Sequence, residues 1–238
     1  MFACAARLLG EQPGDVRRRW PCDPGGRGGV RGREGLRTWH EVSGEGHPVV
    51  LLHGAFAGAA SWSAQAPVLA AAGYRVHAPE RRGHAHTPDV EGPLTYEVMA
   101  DDSSGKVTGG LVDQLAAGGD QVMGFLRAGY DPVSPDGPEH FPVVFAKTLQ
   151  MVRTEPELEL ASLSVVGAPA LVLQGDRDEV TLEHGAAVAA VLPHGRLAVL
   201  PGTHALPVEN PDVVNALLLW FLAGAVPAVD WSGTQLGR

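Results

Sequence analysis

The side chains best placed to do chemistry in this sequence are an aspartate and a histidine, each following a short apolar run. Asp178 comes shortly after Ala170–Leu173, and His204 comes shortly after Leu197–Leu200. An imidazole with an ordinary pKa of about 6.5 can accept a proton at neutral pH, and a carboxylate on its other nitrogen fixes the tautomer and stabilises the imidazolium. An aspartate and a histidine that a fold brings together therefore have the chemistry of a general base with its acidic partner.

Asp176 is the nearest alternative as the acidic partner of His204. It lies in the turn Gly175-Asp176-Arg177-Asp178, and aspartates in such turns commonly cap the backbone. The same capping interpretation applies to Asp178, but its position at the end of the strand favours Asp178.

A parallel sheet is needed to bring these loops together. Val49–Leu52 is a continuous apolar run, which is typical of a strand covered by helices on both faces. Similar patterns predict strands at Arg37–Val42, Tyr74–Ala78, Ala170–Leu173 and Leu197–Leu200, and helices at Ser61–Ala72, Glu183–Leu192 and Pro211–Leu222. The alternation predicts an α/β fold with a doubly wound, mostly parallel sheet and flanking helices, in which the loops after the strands meet at one edge.

Four short motifs resemble those of the α/β-hydrolase family in type and order. They are Leu51-Leu52-His53-Gly54, Glu80-Arg81-Arg82-Gly83-His84, Gly175-Asp176-Arg177-Asp178 and Gly202-Thr203-His204. The resemblance covers roughly residues 36–223 and implies a serine-type, esterase-like hydrolase. It implies that Asp178 is the acid and His204 the general base. It also implies an oxyanion hole after His53, where the backbone N–H of Ala55 or Phe56 would stabilise negative charge that develops in the transition state.

Two departures from the family pattern affect this site. Thr203 follows Gly202 directly, where the family usually has room for a further small residue, and a shorter loop could displace the ring of His204. The second departure is larger, because no G-x-S-x-G turn occurs in the sequence and the nucleophile is therefore unknown. Ser103 and Ser104 are conceivable substitutes, but both are more simply interpreted as linker residues.

The missing turn indicates an internal deletion. Tyr96–Asp102 resembles the start of the helix that precedes the serine, and Ser103–Lys106 then leads directly into lid-like sequence. We expect the central strand to be missing as well, so that Ala170–Leu173 must close the gap in the sheet or its edge stays open. Reduced stability and aggregation are the expected consequences.

The chain is predicted to have a leader, one domain and a tail. Residues 1–37 hold eight arginines and four acids, whereas the remainder is acidic. We expect a disordered basic leader at 1–35, an α/β-hydrolase-like domain at 36–223 and a tail at 224–238. A small helical lid is expected at about 111–165, where Pro132, Pro135, Pro138 and Pro142 interrupt the helical pattern.

Composition limits the partners. The net charge of −9 disfavours nucleic acid, and the longest apolar run, Val213–Val229, is too short to cross a bilayer. Cys4 and Cys22 suggest neither a disulfide framework nor a four-ligand metal site, which fits the cytoplasm. We expect a small-molecule substrate or ligand, no nucleic acid, no membrane, no cofactor and no metal, with the oligomeric state left open.

Three functions stay open at this point. The first is hydrolysis of a small ester-like substrate by the oxyanion hole and the Asp178–His204 pair, and the second is a non-catalytic ligand-binding role or an inactive remnant. The third is a metal enzyme, because His77, His84, His86 and Asp89 cluster in the sequence. Their spacing matches no strong ligand motif, which favours loop histidines over a metal centre.

Overall fold

The computed structural model describes residues 36–95, 119–154 and 159–224, together with the backbone of strands at 6–7 and 27–31. The strands are β1 (Ala6–Arg7), β2 (Arg27–Arg31), β3 (Arg37–Ser43), β4 (His47–Val50), β5 (Tyr74–Pro79), β6 (Ala170–Gly175) and β7 (Gly195–Leu200). The helices are α1 (Ala66–Ala71), α2 (Gly119–Tyr130), α3 (Phe141–Thr154), α4 (Leu182–Val191), α5 (Leu206–Glu209) and α6 (Pro211–Leu222). Three 3₁₀ turns occupy Ala59–Trp62, Pro138–His140 and Leu160–Val165.

The larger sheet has five strands in the order β1-β4-β5-β3-β2. β4 and β5 are parallel, with Val49 opposite Val76, because the chain returns through α1 in a crossover connection. β3 runs antiparallel to β5, and β2 runs antiparallel to β3. The carboxyl ends of β4 and β5 therefore lie at the same edge of the sheet.

β6 and β7 form a second, parallel sheet of two strands. In the part of the chain that the structure describes, β6 pairs only with β7, and the outer edge of β4 carries only the two-residue strand β1. Among the described residues, the direct pairing of β6 with β4 that was one of the two expected outcomes is therefore not observed. The fold class is α/β as predicted, but the sheet is divided into two parts.

The helices begin where local chemistry favours a start. Thr181 caps α4, and its side chain accepts a hydrogen bond from the amide of His184. α1 starts later than predicted, at Ala66, because Pro67 occupies its first turn and the chain before it forms a 3₁₀ turn. The two amphipathic helices α2 and α3 lie within the segment predicted to be a lid.

One hydrophobic cluster joins the two sheets. Leu173 of β6 packs with Val49 of β4, Val76 of β5 and Leu218 of α6. Gln65 and Asn215 strengthen this junction, since the Gln65 amide donates to the carbonyl of Pro207 at 2.8 Å and the Asn215 amide to that of Ala64 at 3.0 Å. α5 and α6 are thus held against α1, although no strand is described between β4 and β6.

Several features predicted from the sequence lie outside the described residues. They include Ser103 and Ser104, the proposed deletion point, and residues 225–238 of the predicted tail. In the described ranges, no helix is both long enough and apolar enough to cross a membrane.

Candidate active site

The predicted acid and base lie side by side. Asp178 follows β6 and His204 follows β7, and the imidazole Nδ1 donates to Asp178 Oδ1 at 2.8 Å. The Asp178 side chain is 8% exposed and the His204 side chain 18%. Because a carboxylate only accepts, this contact assigns the proton to Nδ1 and makes Nε2 the ring atom that can exchange protons with a substrate.

The environment keeps Asp178 ionised. Burial by itself raises the pKa of this carboxyl, but hydrogen bonds from the Val180 amide and from His204 outweigh burial and bring the pKa below its ordinary value. The Val180 amide donates to the same oxygen, Oδ1, at 3.0 Å. A charged carboxylate beside the ring is the arrangement that stabilises an imidazolium.

Asp176 has a different partner. Its carboxylate accepts a hydrogen bond from the Gly202 amide at 2.9 Å, so it caps the turn before His204. The end of β6 and this turn are in close contact, because a Cβ on Gly175 would lie 2.3 Å from the Gly202 carbonyl oxygen. The shorter turn at Thr203 does not prevent His204 from reaching Asp178.

The loop after β4 is fixed by His53, which is 3% exposed. Its Nδ1 donates to the Gly54 carbonyl at 2.8 Å, and its Nε2 accepts from the Arg81 amide at 3.1 Å. The Arg81 guanidinium also donates to the His53 carbonyl. Burial, followed by the charge of Arg81, holds the pKa of His53 well below its usual value, so the ring is a neutral structural element.

The two predicted oxyanion-hole residues come next. The amides of Ala55 and Phe56 donate to no backbone carbonyl of the described residues. Phe56 adopts a left-handed conformation with φ of 61°, which a bulky residue keeps only where its surroundings enforce it. Its ring lies 5.3 Å from that of Phe145 in α3. A strained loop with uncommitted amides suits an oxyanion hole.

Glu80 connects this loop to the next one. Its buried carboxylate accepts from the amides of Ala59 at 3.0 Å and His86 at 2.8 Å, and from His86 Nδ1 at 3.0 Å. The His86 ring stacks on Trp39 at 4.6 Å. Glu80 thus ties the segment after the candidate oxyanion hole to the loop that follows β5.

The helical segment α2–α3 closes over the same region. Ala55 packs against Leu94 and Met151, and Tyr130, Phe141 and Val144 form a neighbouring cluster. The cavity between Phe56, His84 and this cluster holds only about 20 Å³, which is room for about one water molecule. A larger ligand there would require the helices to move.

The four residues considered as metal ligands have separate partners. His84 Nδ1 donates to the Arg82 carbonyl at 2.9 Å, His86 contacts Glu80, and Asp89 accepts from His140 at 2.9 Å and Lys147 at 2.7 Å. His77 is buried within β5. In the described ranges, Asp178, Glu179 and His204 are the side chains whose atoms lie close enough together to bind one metal ion. Asp178 and His204 are already hydrogen-bonded to each other.

Comparison with known families agrees with this architecture. Residues 49–133 match the model of the alpha/beta hydrolase family, and this stretch contains β4, β5 and the His53–Phe56 loop. With the fold described above and the solved structures below, this match shows that the chain has an α/β-hydrolase-like fold.

Individual relatives support the same assignment. The non-heme chloroperoxidase CPO-A1 of Kitasatospora aureofaciens is 34% identical over 76 residues, which is 32% of this chain and 28% of that protein. The non-heme haloperoxidase of Rhodococcus erythropolis is 24% identical over 269 aligned positions, covering 81% of this chain and 98% of that protein. A solved esterase from Exiguobacterium antarcticum has a TM-score of 0.63 and 17% identity, covering 82% of this chain and 99% of that chain.

Sequence reasoning did not predict the contacts made by three carboxylates in these loops, although it named Asp89 as a possible metal ligand and Glu80 within a family motif. Glu80 and Asp89 are carboxylates that follow β5, and Glu209 lies one helical turn after His204. A carboxylate close behind a buried strand was the available signal for the first two. For Glu209 the signal was its position six residues after Thr203, because a single helical turn between them brings the carboxylate back to the loop.

Proposed function

We propose that this protein hydrolyses a small ester-like substrate at the Asp178–His204 pair. The observation that carries the proposal is the 2.8 Å contact between His204 Nδ1 and Asp178 Oδ1. In the absence of a G-x-S-x-G serine, water is the attacking group. His204 accepts the proton of this water while the water oxygen adds to the ester carbonyl.

The remaining steps would use the loop that follows β4. The amides of Ala55 and Phe56 would donate to the oxyanion of the tetrahedral intermediate. When the intermediate collapses, the bond to the alcohol oxygen breaks and the imidazolium returns its proton to that oxygen. The products are a carboxylic acid and an alcohol, and no cofactor or metal takes part.

We further propose that an internal deletion has removed the serine-bearing segment. The alignment with the Rhodococcus haloperoxidase supports this, because it has 269 positions although it draws on only 81% of a 238-residue chain. Removing the serine from a working triad lowers turnover about 10⁶-fold and leaves roughly 10³-fold over the uncatalysed rate. That residual rate comes from the oxyanion hole and substrate binding, and general-base action of His204 on water adds to it. We place the protein in the cytoplasm on the basis of its cysteine usage.

Hydrolysis of p-nitrophenyl acetate by the purified protein and by His204→Ala tests the proposal. We expect the parent protein to exceed both the variant and a buffer blank, because the variant lacks the base. The absence of G-x-S-x-G favours a second candidate, a non-catalytic ligand-binding protein. Equal rates for the two proteins would reject hydrolysis at His204 and favour that second candidate.

A further inference from the structure

The turn that carries His204 is held by a further carboxylate, that of Glu209. Glu209 Oε2 accepts the Thr203 amide at 2.7 Å, and Glu209 Oε1 accepts the Thr203 hydroxyl at 2.7 Å. Both oxygens of one carboxylate therefore hold the residue immediately before the candidate base. Such paired hydrogen bonds fix position as well as adding energy.

The backbone of the turn needs this support. Gly202 has φ of 150°, which only glycine adopts readily, and its carbonyl lies directly over the end of β6 at Gly175. Asp176 holds the Gly202 amide, and the Arg177 amide donates to the Gly202 carbonyl at 3.0 Å. These contacts fix the start of the turn, whereas Glu209 fixes its next residue, Thr203.

We propose that Glu209 is a positioning residue for His204, an inference that rests on the proposed hydrolytic function. It holds Thr203 so that the imidazole of His204 meets Asp178 despite the shortened turn. The Thr203 amide and hydroxyl that donate to Glu209 also hold the pKa of its carboxyl below the ordinary value, so the carboxylate is charged at neutral pH.

Glu209→Ala tests the proposal, with Glu183→Ala as its control. Glu183 is an exposed glutamate in the first turn of α4, just as Glu209 lies in the first turn of α5. We expect Glu209→Ala to lower the kcat of p-nitrophenyl acetate hydrolysis 10- to 100-fold with little change in KM, since an error of about 1 Å in a catalytic group has that effect. Glu209→Gln keeps one acceptor oxygen and should recover part of the rate.

A second measurement does not depend on turnover. The His204 Nδ1 proton, hydrogen-bonded to Asp178, should give a downfield ¹H resonance in protein labelled with ¹⁵N-histidine, assigned by its loss in His204→Ala. We expect Glu209→Ala to broaden this resonance by faster exchange with water, and Glu183→Ala to leave it unchanged. Thr203→Val, which loses only the hydroxyl contact, should have an intermediate effect.

The outcomes separate the two proposals. If the parent protein shows no His204-dependent hydrolysis but the resonance responds to Glu209→Ala, the proposed function fails and the positioning role stands. If Glu209→Ala and Glu183→Ala have the same resonance and the same rate, the positioning role is wrong whatever the activity. Circular dichroism of each variant shows whether the fold is retained.

Discussion

At the level of single residues, Asp176 and Asp178 show how two aspartates two positions apart take different tasks. Asp176 accepts a backbone amide of the turn at Gly202, and Asp178 accepts the imidazole of His204. Residue type alone does not show which aspartate is the acidic partner of His204. The sequence favoured Asp178 only because of its position at the end of a strand. The geometry favours Asp178, because its carboxylate is hydrogen-bonded to the ring whereas that of Asp176 is hydrogen-bonded to the Gly202 amide.

This difference predicts opposite results for two matched substitutions. Asp178→Asn should lower hydrolysis of p-nitrophenyl acetate to the level of His204→Ala, because an amide can donate to the ring and favour the wrong tautomer. Asp176→Asn retains an oxygen that accepts the Gly202 amide and should keep the rate within a few-fold of the parent. Steady-state rates at pH 7.5 provide the measurement. Loss of activity in Asp176→Asn alone would reverse the assignment.

The residues around the site were harder to predict than the pair itself. Asp178 and His204 follow strands and belong to recognisable motifs, so their types and order were sufficient to predict that the two side chains lie together. Glu209 is exposed and has no sequence feature that distinguishes it from other surface glutamates. The role of Glu80 in joining two loops can be inferred only from its burial and its three N–H donors. Their roles depend on contacts between distant loops, which single-sequence patterns do not contain.

At the level of elements, Asp89 connects the loop after β5 to the helical segment. Its carboxylate, 5% exposed, accepts from Lys147 at 2.7 Å and His140 at 2.9 Å. Lys147 also donates to the Val90 carbonyl at 2.7 Å, and the Asp89 amide donates to Asp136 at 2.6 Å. These contacts hold α3 and the preceding 3₁₀ turn against the loop that follows β5.

Removing the Asp89 charge should loosen this segment. We expect Asp89→Asn to lower the free energy of unfolding by roughly 2–3 kcal/mol, somewhat less than for a fully buried pair because Lys147 is partly exposed. Hydrogen exchange at residues 138–150 should become faster. Asp120→Asn, at an exposed acid in the first turn of α2, is the control. Equal exchange in both variants would contradict a fastening role for Asp89.

The pH dependence of this contact follows from the Asp89 pKa. Burial raises it, but the hydrogen bonds from Lys147 and His140 outweigh burial and bring it below the ordinary value of 3.8. A depressed pKa gives stability that is fully present above the unfolded-state pKa and is lost as the pH falls through the folded-state pKa. The difference between the parent protein and Asp89→Asn should therefore be constant near neutrality and shrink in strong acid.

Elements were predicted better than their assembly. The apolar runs placed β4, β6 and β7 within three residues of their observed bounds, and α6 was predicted at its observed limits. These elements carry local signals, namely branched apolar runs and helix-starting prolines. The pairing of the strands depends on the central strand of the family pattern, which the sequence analysis did not find. Hydrophobic periodicity predicts individual strands but not whether β6 pairs directly with β4.

At the level of the whole molecule, two buried histidines predict how stability responds to acid. Burial, followed by the charge of Arg75, lowers the pKa of His77 to about 4, and burial, followed by Arg81, lowers that of His84 to about 4. The unfolded chain takes up these protons near pH 6.5, so it binds more protons than the fold between about pH 4 and 6.5. Stability is complete above this window and falls through it, by up to about 3 kcal/mol per histidine.

Urea unfolding between pH 4.5 and 8 measures this effect. His77→Leu should flatten the decline in the free energy of unfolding below pH 6.5, whatever its effect at neutral pH. His194→Leu, at an exposed histidine, should leave the slope as it is in the parent protein. Identical slopes for the parent protein and His77→Leu would mean that His77 is not held neutral by its surroundings.

The division of the sheet predicts the behaviour of the intact protein in solution. β6 has a partner on one side only in the described part of the chain, and an unpaired strand edge is a template for pairing with another chain. We therefore expect sedimentation velocity to show association that increases with protein concentration. Ala170→Lys places a charge at the least buried end of β6 and should shift the protein toward monomer, because charges on edge strands oppose pairing. Ala190→Lys, at an exposed position of α4, adds the same charge away from the edge and should not. A parent protein that stays monomeric at every concentration would show that the open edge is covered within the chain.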